Sequence, residues 1–182
     1  QERTIVAGGA YGIDAAAHRA ALATGGGTIA VLAGGVDRPY PRGNADLLDR
    51  IGDVGALVSE APPGEAPTRW RFMARARLLG TLSGVTVVPE ASFCSGSLLV
   101  PTEAHRHSRA AGAVPGPVTS VTSVGPHELI KRGVAQVVSD TADVTAMLDL
   151  LGDPARLLNR ETPGHQLAAP ASGPPARPGP RL

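Results

Sequence analysis

The chain has 182 residues, 42% of them hydrophobic, and 17 Lys and Arg against 16 Asp and Glu give a formal net charge of +1. That length fits one domain with a sizeable core, or one domain and a tail, and the near-neutral balance gives no whole-chain sign of a polyanion binder. A single cysteine, Cys94, excludes an internal disulfide and a cysteine zinc cluster, no apolar run reaches membrane-spanning length, no signal peptide is visible, and aromatics at 3% leave few stacking platforms.

Thr4, Ile5 and Val6 read as a first strand, entered almost at once from Gln1, so the chain is expected to be a fragment or to lack its start. Gly8, Gly9 and Gly12 follow, and Asp14 opens an alanine-rich helix that Gly25-Gly26-Gly27 stops. Strand, glycine turn and helix start together form a candidate phosphate cradle, because helix-start amides attract anions. A ligand-free βα turn has the same pattern, and the spacing is not that of a dinucleotide fingerprint. Thr28–Ala33 reads as the second strand. Asn44 is expected to cap a short helix from Ala45 to Ile51. Gly55–Ser59 is a third strand, Trp70–Leu82 a helix and Val85–Val88 a fourth strand. A helix from Ser97 to about Ala111 carries Pro101 in its first turn. Ala113-Val114 is a short fifth strand, Glu128–Arg132 a short helix, Ala135–Val138 a strand and Ala142–Leu151 a last helix.

Strands alternating with helices imply βα units and a mainly parallel sheet with helices on both faces. Ligands in such folds bind beyond the carboxyl ends of the strands. From residue 152 onward, seven prolines between Pro154 and Pro180 and the run ASGPPARPGPRL predict a disordered tail behind a core of residues 1–151.

Three stretches carry candidate chemistry. The long turn from Ala33 to Asn44 holds Arg38 and Arg42, which suit phosphate, and Tyr40, which suits a ring; Pro39, Pro41 and Asn44 equally serve to shape and cap the turn. Thr68–Arg77 contains Arg69, Arg71, Arg75 and Arg77, and no acidic residue occurs from Ala66 to Pro89. Charge with an interleaved aromatic suits single-stranded nucleic acid, although Trp70 and Phe72 are expected in the core. Ser95-Gly96-Ser97 at a helix start suits an anion or simply a capping turn. Cys94 has no histidine near it in sequence. His105 and His107 point apart on a helix, His18 suits a core or capping position, and no catalytic set is defensible.

These turns together resemble the DNA-processing protein A family (DprA, also called Smf). The resemblance rests on Gly8-Gly9-Ala10-Tyr11-Gly12-Ile13-Asp14 with Ala17-His18; Gly35-Val36-Asp37 with Tyr40-Pro41 and Asn44; and Ser59-Glu60 with Pro63-Gly64. Further along it rests on Phe72 with Arg75 and Arg77 before Leu82-Ser83; Glu90-Ala91 with Ser95-Gly96-Ser97-Leu98; and Val114-Pro115-Gly116-Pro117. Gly125, Leu129-Ile130 and Gly133 fit the family's last helix. The match runs in order over about residues 3–145.

The resemblance implies an extended Rossmann-like domain in a bacterial, cytoplasmic protein of natural transformation and recombination. It implies single-stranded DNA in a positive pocket, a homodimer and hand-over to the RecA recombinase, with no cofactor, metal, membrane or catalytic reaction. Carried over by position, the DNA or phosphate contacts are Gly8, Gly9, Gly12, Arg42, Asn44, Arg75, Arg77, Ser95, Gly96 and Ser97. The chain departs from the family at Ala76, where an asparagine is usual, and at Val100-Pro101, where a Thr-Ala pair is usual. The family's upstream basic loop and helical domain precede Gln1, so the core is expected to be N-terminally truncated. The alternative is a nucleotide-processing phosphoribohydrolase of the lysine-decarboxylase-like family, but its Pro-Gly-Gly-x-Gly-Thr-x-x-Glu stretch is absent.

Overall fold

A computed structural model describes residues 3–152; the expected tail lies outside the described residues. Six strands and six helices alternate: β1 (Ile5–Ala7), α1 (Ile13–Ala23), β2 (Thr28–Val31), α2 (Ala45–Val54), β3 (Ala56–Val58), α3 (Arg69–Leu82), β4 (Val85–Val88), α4 (Leu99–Arg106), β5 (Ala110–Ala113), α5 (Val124–Lys131), β6 (Gln136–Val137) and α6 (Thr141–Asp149). The strands hydrogen-bond as two three-stranded sheets, in the orders β1-β2-β3 and β4-β5-β6, every pair parallel. Among the described residues no helix is long and apolar enough to cross a membrane.

In the first sheet, Ala30 and Leu32 pack with Ala15 of α1 and with Leu47, Leu48 and Ile51 of α2. The second sheet is covered on both faces. Ala111 and Ala113 of β5 cluster with Leu129 of α5, while Ala110 clusters with Met147 of α6. That covering explains why β5 differs from expectation: Ala110-Ala111-Gly112-Ala113 has weak strand propensity, and its place between β4 and β6 overrides it. The preceding helix accordingly stops at Arg106, five residues short of Ala111. α3 and α4 pack closely at Gly80, where a Cβ would lie 2.7 Å from the Ala104 nitrogen and 2.8 Å from the Val100 oxygen.

His18 is fully buried in the first layer, and its Nδ1 shares a 2.7 Å hydrogen bond with the Thr28 hydroxyl. Burial pushes its pKa below 6.5, against an opposing pull from Asp14. A neutral imidazole in the fold means that the unfolded chain binds the extra proton first. Stability should therefore hold above about pH 6.5 and fall as the pH drops from there through the folded pKa. Urea unfolding from pH 7.5 to 5 checks this: His18→Gln should be less stable at neutral pH but lose that slope, and an equal slope in both chains refutes it.

Candidate functional site

The carboxyl ends of β1, β2 and β3 open onto three turns tied to one another and to α3. After β1, the Asp14 carboxylate accepts hydrogen bonds from the Gly8 and Ala10 amides, each at 3.1 Å. The chain thus places its own anion in the turn, and a phosphate would meet the Gly8 amide only by displacing it. Gly9 and Gly12 have positive φ, and Gly12 stands exposed before α1.

The turn after β2 closes back onto this one. Asn44 occupies the expected position before α2 but does not cap it. Its buried Nδ2 donates instead to the Gly9 carbonyl at 2.9 Å. The neighbouring Gly43 amide donates to the Tyr11 hydroxyl at 3.1 Å. Arg42 is exposed in a 3-10 turn over Arg42–Asn44 and forms no ion pair among the described residues. On the other side, both oxygens of Asp37 accept from the Gly64 amide, which fastens the β2 turn to the β3 turn.

α3 begins where Thr68 accepts a hydrogen bond from the Arg71 amide, and its arginines then diverge. Arg75 reaches inward: its Nη1 donates to the Gly8 carbonyl at 2.9 Å and approaches the Val31 carbonyl at 3.5 Å. Its guanidinium lies 4.9 Å from the centre of the Phe72 ring, a cation–π contact. Burial lowers its pKa and the Asp14 charge opposes the shift, yet an arginine stays charged at any working pH. A Cβ at Gly8 would lie 2.8 Å from the guanidinium, so a side chain there would displace the tip of Arg75. Arg77 pairs with Glu60 at the end of β3, and Arg71 pairs with Glu65 at 2.7 Å.

Two cavities meet at Arg75. The first, of about 190 Å³, is an aromatic cleft lined by Gly8, Tyr11, Tyr40, Phe72 and Arg75. Tyr40 and Phe72 meet edge to face at 6.0 Å between ring centres. The second, of about 180 Å³, lies toward β3 and includes Ser59, Glu60, Arg71 and Arg75. Of the residues expected from sequence, Gly8, Gly9, Asn44 and Arg75 are thus joined directly by hydrogen bonds and packing, and Arg77 reaches the second cavity through Glu60. Ser95, Gly96 and Ser97 form a separate turn before α4, where the two hydroxyls lie 2.7 Å apart, and they line neither cavity.

The core placement expected for the aromatics fails: Trp70 is 73% exposed, and Phe72 lines the cleft at the surface. Their helix carries arginines on several sides, so no fully apolar stripe draws both rings inward. Tyr11, 65% exposed, and the turn-forming Asp14 are the residues that sequence reasoning left unassigned. The signal for Asp14 was its place just after a glycine turn, at the start of a helix.

A parallel α/β domain whose strand ends carry glycine turns and an arginine-lined cleft is of the Rossmann-like class. Residues 1–149 match the family model of DNA recombination-mediator protein A, and the chain belongs to that family. It is 47% identical over 149 residues to a DNA processing protein DprA of Mycobacterium tuberculosis, a match covering 82% of this chain and 38% of that protein. The crystal structure of DNA processing protein A from Streptococcus pneumoniae superimposes with a TM-score of 0.73 at 43% identity, covering 79% of this chain and 50% of that one. DNA processing protein A from Helicobacter pylori, which binds single-stranded DNA, gives 0.72 at 31% identity, covering 82% and 66%. The chain therefore spans between about a third and two thirds of the length of these relatives.

Proposed function

We propose that this chain binds single-stranded DNA at the carboxyl rim of its first sheet, as a DNA-processing and recombination-mediating protein and not as an enzyme. The observation that carries the reading is the cleft between Tyr11, Tyr40, Phe72 and Arg75. Its rings offer faces for bases, and its guanidinium, with exposed Arg42 near by, offers positive charge to the phosphates. Gly8 lines this cleft and the Asn44 bond to the Gly9 carbonyl ties the turns beside it, and the reading assigns Gly12, Arg77 and the Ser95-Gly96-Ser97 turn to further contacts along the strand. The named single-strand binder from Helicobacter pylori supports the ligand class. By the same family membership we propose action in natural transformation in the cytoplasm, hand-over of the strand to RecA and function as a homodimer.

The single tryptophan makes the test direct, because Trp70 is exposed on the helix that carries Phe72 and Arg75. Titrating a short oligonucleotide should quench its fluorescence. Raising the salt from about 50 to 200 mM should weaken the binding markedly, because phosphate contacts release counterions. Absence of binding at low salt overturns the proposal, and release of free base from a nucleoside monophosphate would replace it with the phosphoribohydrolase reading.

A further inference from the structure

We propose that the cavity on the β3 side of Arg75 is a second base pocket, built for a keto base, thymine or guanine, of the strand held in the aromatic cleft. The inference rests on the single-strand reading above and adds a base preference to it. Arg75 lines both cavities, so this one residue borders the two. Only its Nη1 is engaged with carbonyl oxygens. Nε is buried without a partner among the described residues. A charged donor left open in this way is the exception in folded proteins and points to a group that is yet to arrive.

The remaining walls match one type of base edge. Leu32, Ala33 and Leu78 supply apolar surface. The Ser59 hydroxyl oxygen accepts from the Ala61 amide, which leaves its proton to donate. Glu60 is an acceptor, held in place through one oxygen by Arg77. Arg71, which also lines the cavity, gives its guanidinium to the Ala66 carbonyl and Glu65, so the lining offers a donor from Arg75, an acceptor from Glu60 and a donor from Ser59. Thymine presents the complement: carbonyl, imino N–H, carbonyl. Guanine repeats the first two groups with its O6 and N1–H. Cytosine and adenine instead present an amino donor, which would face the donating guanidinium. At about 180 Å³ the cavity is smaller than the roughly 300–1,000 Å³ of drug-sized sites and suits a single small heterocycle.

The test compares oligo(dT) with oligo(dC) of equal length, two pyrimidines that differ at the keto and amino positions, on the full chain. Oligo(dT) should bind about tenfold more tightly, the scale of one base-edge contact. Ala74 lines this cavity and not the aromatic cleft. Ala74→Leu should bring the ratio close to one while leaving oligo(dC) affinity and its salt dependence in place. Glu60→Gln removes the acceptor without filling the space and should likewise reduce the ratio. A ratio near one in the unmodified chain with both strands bound, or a ratio that neither substitution changes, overturns the proposal. Failure of both strands to bind the unmodified chain instead overturns the single-strand reading itself, and this inference with it.

Discussion

Arg75→Ala is expected to weaken single-strand binding by about 10- to 100-fold, a loss of ~1.5–3 kcal/mol of the size expected for hydrogen bonds that involve a charged group. Arg75 does three things at once. It brings positive charge to the cleft, it supports the face of Phe72, and it bonds the Gly8 carbonyl at the end of β1. Truncation removes all three, so the salt dependence should also become shallower, by about 0.7 in slope for each phosphate that is no longer neutralised. Arg75→Lys should keep most of that slope but recover only part of the affinity, because a lysine lacks the flat fork that both bonds a carbonyl and packs on a ring. Arg42→Ala is the comparison: exposed and outside any ion pair among the described residues, it should lower affinity several-fold without changing the thermal midpoint. If Arg75→Ala remains folded by circular dichroism and binds as tightly as the unmodified chain, the cleft is not where the strand lies.

Asp14→Ala carries the largest expected cost to the fold. It leaves the amides of Gly8 and Ala10 without their acceptor and removes a carboxylate that interacts electrostatically with both Arg75 and His18. The expected loss is ~2–3 kcal/mol, in line with two unpaired turn donors beside a helix start. For a domain of this size that lowers the thermal midpoint by roughly 5–10 °C. Asp14→Asn keeps an acceptor oxygen and should lose less than half as much. An unchanged midpoint in Asp14→Ala would show that solvent replaces the carboxylate at no cost and that the turn holds its shape by other means.

The consequence for binding runs through the same atoms. The Gly8 residue gives its N–H to Asp14 and its carbonyl to Arg75. Loosening the turn therefore removes an anchor from the arginine that borders the two cavities, and oligonucleotide affinity should fall along with stability.

The sequence by itself determined the alternation of strand and helix, the parallel class and the family. These follow from local signals: short β-branched runs, glycines at the strand ends and turns at regular spacing. It also determined which turns lie at the carboxyl rim, since in a parallel βα order every turn after a strand falls there. Only the tertiary structure decided what those turns do for one another. The Gly8 amide pattern reads equally well as a cradle for an outside anion or for a carboxylate of the chain, and the fold gives it to Asp14. Asn44 reads as a helix cap until the β1 turn offers the Gly9 carbonyl. Arg75 and Arg77 look alike two residues apart, but a helix points such neighbours in different directions, one to Gly8 and one to Glu60. β5 shows the same limit: alanine and glycine carry little strand preference, and the two helices packed over its faces supply what the residues lack. Interactions between groups dozens of residues apart leave no periodic trace in the chain, and at this site those interactions set the geometry.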